Sequence, residues 1–162
     1  MATWNANEDL VLGDNLLLYI VSGDTTPTAD NAEVLAYATS CSLQIDSETI
    51  DTSSKFSCRW NSVKSGRASY TISADALYSK KGLSFDGLVG YMTDSEGKNI
   101  TWVIGQEDTS GDCQSREHTL DATKPYYWGQ GAVTSVSLEG GNNEIASCSI
   151  TITGAGAISK VN

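Results

Sequence analysis

Strict alternation of side chains between Leu35 and Asp46 constrains the fold of this chain more than any other feature. One face of this segment would carry Leu35, Tyr37, Thr39, Cys41, Leu43 and Ile45. The opposite face would carry Ala36, Ala38, Ser40, Ser42, Gln44 and Asp46. A period of two over this length predicts a β-strand that is buried on one side only.

The same alternation recurs three times further along the chain, in Arg67–Asp75, Tyr127–Glu139 and Glu144–Gly154. The last two segments are joined by Gly140-Gly141-Asn142-Asn143, which is typical of a tight hairpin turn. We expect the inward-facing side chains of this hairpin to be Thr134, Val136, Leu138, Ala146, Cys148, Ile150 and Ile152.

Two apolar segments, Leu16–Ser22 and Asn99–Gln106, are also predicted strands, and Leu10–Leu12 is a candidate for a further short one. Ser84 is a candidate N-cap of a short helix, with Asp86 in its first turn. The chain contains 15 Gly and only 2 Pro, which suits many short strands joined by turns. The sequence therefore predicts an all-β fold with one short helix.

The length and the charge limit the classes of function. All 162 residues fit a single domain, with a flexible N-terminal arm at 1–9 and a C-terminal tail at 155–162. The formal net charge is −10. Binding to phosphate groups needs Lys and Arg, so a nucleic acid or an anionic membrane surface is a poor partner for this chain.

The N-terminal segment lacks a basic region of the kind that begins a secretory signal, so we expect no export signal. Leu16–Val21 is too short to span a bilayer. We therefore expect Cys41, Cys58, Cys113 and Cys148 to remain reduced.

The segment Ser47–Gly66 is predicted to be a long connection, yet it carries Ile50, Phe56, Trp60 and Val63. Solvated loops seldom carry so many large apolar side chains, and long irregular loops are usually functional or disordered. Two interpretations remain open, since the segment either docks on another subunit or folds back on its own domain.

The outward faces of the four alternating strands share one chemistry, because nearly all of their side chains are short hydroxyls. They are Ser40, Ser42, Gln44, Asp46, Ser69, Thr71, Ser73, Asp75, Ser135, Ser137, Glu139, Ser147, Ser149, Thr151 and Thr153. No Lys or Arg occurs among them. Such a surface is either an ordinary solvated face or the wall of a conduit along which a polyanion moves without being held.

Charge is unevenly distributed along the chain. Residues 1–54 contain acidic residues and no Lys or Arg, whereas residues 55–81 contain six basic residues and a single acidic one, Asp75. An acidic part and a basic part favour head-to-tail association into rings or filaments. The alternative is an unevenly charged but solvated surface.

The sequence contains no arrangement typical of catalysis or metal binding. His118 is the only histidine, and it lies in a polar segment where we expect it to be solvated. No nucleophile elbow, phosphate-binding loop or zinc-ligand spacing is present. We therefore expect no enzymatic activity, no cofactor and no metal.

Two long stretches resemble phage major tail tube proteins, in particular those of long-tailed, non-contractile phages. Residues 35–55, LAYATSCSLQIDSETIDTSSK, are similar to a run near the N-terminus of that family. Residues 126–156, from YYWGQG to TGAG, are similar to its closing hairpin, and YTISADALY at 70–78 agrees in order between them. Tyr70 stands where that family often has Trp.

The resemblance implies a β-sandwich or barrel whose strands join between subunits into a barrel that lines a lumen. Six subunits would close a ring, rings would stack, and genomic DNA would pass through the lumen to the host. The outward-facing residues named above would line the lumen. The arm at 1–9 and an inter-ring loop at 47–66 would make the ring-to-ring contacts, the loop through Ile50, Lys55, Phe56, Arg59, Trp60, Val63 and Lys64.

The resemblance also implies a set of partners and a location. The partners would be further copies of the chain, tail terminator and baseplate or tip proteins, and a tape measure protein in the lumen during assembly. DNA would pass without specific binding, and no membrane would be contacted. The protein would belong to the tail of a virion and assemble in the host cytoplasm.

A second hypothesis is a carbohydrate- or surface-binding β-sandwich module. It would use an aromatic platform made of Trp102, Tyr126, Tyr127 and Trp128.

Overall fold

Seven strands form a single sheet in the order β2-β1-β5-β6-β7-β4-β3, and every neighbouring pair is antiparallel. These strands belong to a computed structural model that describes residues 10–21, 25–57, 59–93, 99–112 and 117–162. The elements are β1 Leu16–Val21, β2 Glu33–Val34, β3 Ala38–Asp51, β4 Val63–Leu77, α1 Phe85–Thr93, β5 Ile100–Gln106, β6 Tyr126–Glu139 and β7 Ser147–Val161. The all-β class with one short helix is therefore confirmed for the described residues.

The sheet folds over on itself, so that its two ends enclose one core. The Cys41 thiol of β3 donates a hydrogen bond to the Leu16 carbonyl oxygen of β1 at 3.4 Å, although four strands separate β1 from β3 in the sheet. The main core cluster accordingly draws buried side chains from β1, β4, β5 and β7 together. A second, smaller cluster lies around Tyr19 and Leu120 on the other side of β1 and β5.

Tyr70 of β4 lies where the sheet bends. Its ring packs edge-on against Trp102 with the ring centroids 5.4 Å apart. Its hydroxyl donates a hydrogen bond to the carbonyl oxygen of Gln130 in β6. Gly154 leaves the space that this ring occupies, because a Cβ at that position would overlap the Tyr70 ring atoms. The pairing of β6 with β7 is also irregular beside the bend, between Trp128 and Gln130.

The helix α1 begins directly after Ser84, as predicted, and packs against β6. The Ser84 hydroxyl accepts a hydrogen bond from the backbone N–H of Ser79. Two glycines lower the helix propensity of this short segment. Complete burial of Leu88 in the main core offsets that loss.

The start of β3 differs from the prediction. The strand begins at Ala38 rather than Leu35, because Tyr37 adopts a left-handed backbone with φ 53°. Tyr37 is 69% exposed, and a register shift at Thr39 moves the Thr39 side chain off the buried face. The alternation begins only after this irregularity, so Cys41 and Leu43 face the core as expected.

The ends of two other segments also differ from the prediction. β3 continues to Asp51 and β4 starts at Val63, so that only residues 52–62 of the predicted connection 47–66 lie outside the strands. β7 runs to Val161, and residues 155–161 pair with β6 where a C-terminal tail was predicted. The predicted N-terminal arm at 1–9, Cys58 and Cys113 lie outside the described residues, and Cys41 and Cys148 are free thiols.

We expect Gly154→Ala to lower the free energy of unfolding of the isolated subunit by about 2 kcal/mol, because the added methyl group overpacks the Tyr70 ring. Gly90→Ala is the matched control, since a Cβ there meets no atom within 4 Å and alanine favours the helix. Urea-induced unfolding of the monomer measures both variants. Equal midpoints for Gly154→Ala and the parent chain would contradict this description of the bend.

Candidate functional site

The predicted outward side chains of β3, β4, β6 and β7 all lie on one face of four neighbouring strands, here called the hydroxyl face. Directly opposed residues of an antiparallel pair point to the same side of a sheet. The register pairs these residues across the strands as Asp46–Ser69, Gln44–Thr71–Thr153, Ser42–Ser73–Thr151–Ser135, Ser40–Asp75–Ser149–Ser137 and Ser147–Glu139. The structure therefore brings all of these residues together.

Asp75 lies at the centre of the hydroxyl face and links three strands. One carboxylate oxygen accepts a hydrogen bond from Ser149 at 2.6 Å, and the other accepts one from Ser40 at 2.8 Å. Both hydrogen bonds lower the pKa of the Asp75 carboxyl group, and the one from Ser149 has the larger effect. The carboxylate therefore keeps its negative charge at neutral pH.

In β6, the prediction placed Thr134 on the wrong face, since this residue belongs to the hydroxyl face and not to the core. A register shift between Val133 and Ser135 leaves Thr134 on the exposed side. Its hydroxyl lies 3.1 Å from the Thr153 hydroxyl and donates to the Thr151 carbonyl oxygen at 3.2 Å. An extra residue in one strand reverses the alternation locally, and the local sequence does not signal it.

The hydroxyl face has one open strand edge on each side. β3 is the last strand of the sheet, so its outer edge pairs with no strand of the described chain. On the other side, β5 pairs with β6 only from Tyr127 to Gly131. Residues 132–139 of β6 therefore also lack a strand neighbour there, within the residues that the structure covers. Unpaired edges of this kind are templates for pairing with another chain.

The β3–β4 hairpin projects beyond the rest of the sheet. β7 pairs with β4 no further than Thr71, whereas β3 and β4 stay paired with each other as far as Asp51 and Val63. At a rise of about 3.4 Å per residue, this two-stranded ribbon extends roughly 27 Å past β7. Its end, residues 52–62, is here called the hairpin tip.

The hairpin tip is held by hydrogen bonds between its two sides. The Thr52 backbone N–H donates to the Ser62 carbonyl oxygen at 2.8 Å, and the hydroxyls of the same two residues are 2.9 Å apart. The Ser54 N–H donates to the Ser57 hydroxyl at 2.9 Å. The tip is therefore an ordered turn, because its conformation is held by hydrogen bonds within the tip itself.

The loop residues that the family resemblance assigns to ring-to-ring contacts all lie on this hairpin and are exposed, namely Ile50, Lys55, Phe56, Arg59, Trp60, Val63 and Lys64. Phe56 is 94% exposed and Trp60 is 84% exposed. The interpretation that this segment folds back onto the core of its own domain is therefore wrong.

The basic segment 55–81 does not form one patch. Lys55, Arg59 and Lys64 lie on the hairpin, whereas Lys80 and Lys81 follow the opposite end of β4. Acidic residues of the segment 1–54, such as Asp51, lie on the hairpin as well. The acidic and basic parts of the sequence therefore do not correspond to two separate surfaces of the subunit.

His118 is not simply solvated, contrary to the prediction. Its Nδ1 atom lies 2.6 Å from a carboxylate oxygen of Glu107, whose side chain is buried. A cavity of about 330 Å³ beside it is lined in part by Asp30, Glu33 and Glu117. Among the described residues, no group of His, Cys, Asp and Glu side chains is arranged to hold a metal ion.

The predicted aromatic platform is wrong. Trp102 is completely buried and Tyr126 nearly so, because both face core clusters on β5 and β6. Tyr127 is exposed and Trp128 is half-buried. The four rings therefore do not form a shared surface. In the described part of the chain, the structure contains no helix long and apolar enough to cross a membrane.

The fold is shared with solved tail structures. The tail of an empty gene transfer agent particle, refined with C6 symmetry, matches with a TM-score of 0.64 and 17% identity over 94% of this chain and 100% of that one. The SPP1 tail tube matches with a TM-score of 0.63 and 14% identity, over 93% of this chain and 78% of that one. The sheath/tube terminator of an extracellular contractile injection system matches with a TM-score of 0.65 and 14% identity, over 96% of this chain and 99% of that one.

A comparison of the sequence with curated proteins finds no significant match. A family model described as phage tail tube protein, however, matches residues 11–160. This match spans nearly the whole chain, including the hydroxyl face and the projecting hairpin. The chain therefore belongs to the family of phage tail tube proteins, and it is a structural tube subunit rather than an enzyme.

Proposed function

We propose that six copies of this chain close a ring whose inner wall is the hydroxyl face, and that such rings stack into a tail tube through which DNA is delivered. The observation that carries the proposal is the position of this face between two open strand edges. A gene transfer agent tail with the same fold has C6 symmetry, which supports six copies per ring.

The seam of the ring would join the free edge of β3 to residues 132–139 of β6 in the neighbouring copy. The four strands of the hydroxyl face alternate in direction, so β6 and β3 run in opposite directions at its two sides. Rotation about a ring axis then places β3 antiparallel to the next β6. The antiparallel pattern then continues around the ring, and the same head-to-tail contact repeats between identical subunits.

The composition of β3 supports its use as a seam. Soluble proteins usually protect edge strands with Lys, Pro or short length. β3 is 14 residues long and contains neither Lys nor Pro, and its charged residues, Asp46, Glu48 and Asp51, all lie in its second half. The uncharged first half of this edge would be an aggregation site in a monomer, whereas ring closure would pair its free N–H and C=O groups.

The size of the resulting barrel suits an open conduit. Four strands from each of six copies make 24 strands, and at about 4.8 Å per strand the wall is roughly 115 Å around before strand tilt is included. Barrels of 16–18 strands already leave an aqueous channel. A barrel of 24 strands would therefore have an open lumen.

The chemistry of the face would let DNA pass without holding it. The hydroxyl face carries Asp46, Asp75 and Glu139 and no Lys or Arg. Each added cation would form phosphate contacts and slow the passage of the strand. Short hydroxyls also leave no long side chains in the path. We infer that the face acts as a smooth, anionic wall.

The exposed residues of the hairpin would make the contacts between stacked rings, with Trp60 and Phe56 as its largest apolar groups. The same fold occurs in a sheath/tube terminator and in a baseplate, which supports terminator and baseplate proteins as partners at the two ends of the tube. A tape measure protein in the lumen and assembly in the host cytoplasm complete the proposal.

We expect the purified protein at high concentration to form hollow rods or rings, which negative-stain microscopy detects. Ring closure pairs the free backbone N–H and C=O groups of both edges with those of neighbouring copies. Assembly should therefore increase with protein concentration. Persistent monomers at every concentration and salt condition would contradict the proposed function.

A pair of proline variants tests the seam. Adjacent residues of an edge strand direct their N–H groups to opposite sides, so only one of Gln44→Pro and Ile45→Pro removes a bond to β4. We expect that variant to lower the stability of the monomer. The other should leave the monomer as stable as the parent and prevent ring closure, measured by urea unfolding and native mass spectrometry. Normal rings from both variants would place the seam elsewhere.

Lysine variants test the wall. We expect tubes of Ser42→Lys/Ser149→Lys to assemble and to retain duplex DNA at low salt, because the added cations contact phosphates. Thr26→Lys/Ser110→Lys adds the same charge at two exposed loop positions outside β3, β4, β6 and β7 and is the control. A filter-retention assay over a salt series measures the difference. Equal retention by both variants would mean that the hydroxyl face does not line the lumen.

A further inference from the structure

We propose that the hairpin tip of one subunit docks on the β6–β7 turn, residues 138–146, of a copy in the next ring. This inference rests on the proposed function, because it requires stacked rings. It assigns the surface that receives the hairpin, on the basis of position, exposed apolar side chains and charge.

The hairpin tip and the β6–β7 turn lie at opposite ends of the subunit. β4 begins at Val63, directly after the tip, and ends at Leu77, which pairs with Ser147 beside the turn. The strand between them spans roughly 45 Å. In a stack of identical rings, the tip end of one ring meets the turn end of the next.

The tip projects too far to be covered by its own subunit. The ribbon leaves β7 at Thr71, and Phe56 and Trp60 at its end remain exposed. Tryptophan is among the residues that most often anchor protein interfaces. We therefore expect the exposed aromatic side chains of this projecting turn to be covered by a second copy of the chain.

The β6–β7 turn offers a matching apolar surface. Ile145 is 72% exposed and Leu138 is 45% exposed. The turn is fixed in place, since the Tyr78 backbone N–H donates to the Ala146 carbonyl oxygen at 2.8 Å and Asn143 adopts a left-handed backbone with φ 65°. A preformed surface loses little conformational entropy when it is covered.

The charges of the two segments are complementary. Residues 52–62 contain Lys55 and Arg59 and no acidic residue, whereas residues 138–146 contain Glu139 and Glu144 and no basic residue. A chain with a net charge of −10 repels its copies unless opposite charges meet locally. Contact between the tip and the turn brings such charges together.

A charge swap tests the contact in the full chain. We expect Lys55→Glu/Arg59→Glu to leave single rings intact and to raise the concentration at which half of the rings stack by about tenfold or more. Addition of Glu144→Lys, which lies outside the seam strand and the hydroxyl face, to the same chain should lower that concentration again by about threefold or more. Lys124→Glu/Lys160→Glu changes the net charge equally, away from both segments, and should leave stacking unchanged.

A photo-crosslinking amino acid in place of Trp60 locates the partner surface directly. In tubes assembled from isotope-labelled and unlabelled copies, we expect mixed crosslinks to peptides that contain residues 138–146. The same amino acid in place of Tyr127, which lies away from both segments, should give no crosslinks to this turn.

The outcomes separate this inference from the proposed function. Tubes that form but crosslink elsewhere, or that the second charge change does not rescue, would overturn the docking surface and leave the tube intact. Failure of the parent chain to form rings or tubes at all would overturn the proposed function, and the docking surface with it.

Discussion

The contact of Tyr70 with the far half of the sheet holds the structure together. Its ring fills the space left by Gly154 and packs edge-on against Trp102, and its hydroxyl reaches the Gln130 carbonyl oxygen. These contacts join β4 to β5 and β6 across the fold of the sheet. Aromatic contacts and buried hydrogen bonds of this kind contribute about 1 kcal/mol each beyond area burial. Because the inner faces of the sheet pack against each other, only the opposite side of β3, β4, β6 and β7 stays uncovered. This side is the hydroxyl face.

The same folding-over explains why a subunit of this kind is suited to assembly. A flat sheet could bury its edges under helices, but here the short helix packs near β6 and leaves β3 uncovered. Within the described residues, the chain then has an alternating hydroxyl surface, an unpaired edge strand on one side and a partly unpaired strand on the other. The two unpaired edges would be a liability for a monomer. Together they are the requirements for closing a ring of identical subunits.

Sequence patterns predicted the strands of the hydroxyl face well and their ends poorly. The faces of Cys41, Leu43 and Ile150 follow from alternation alone, because the side chains of a strand point alternately to its two sides. Tyr37 and Thr134 were assigned to the wrong face, since each lies beside an irregularity that shifts the register. Such irregularities arise from the pairing of one strand with another, and the sequence of the single strand does not encode them.

The sequence by itself determined which side chains share a face, their hydroxyl character and the absence of cations among them, because these depend only on residue identity and the geometry of an extended backbone. The resemblance to tail tube proteins was likewise readable from residues 35–55 and 126–156, and the family match confirms it. Only the tertiary structure decided that the four faces adjoin, that two strand edges have no strand partner among the described residues and that β3 and β4 continue past β7. These properties depend on contacts between residues far apart in the chain, such as Tyr70 and Gln130, which no local pattern specifies.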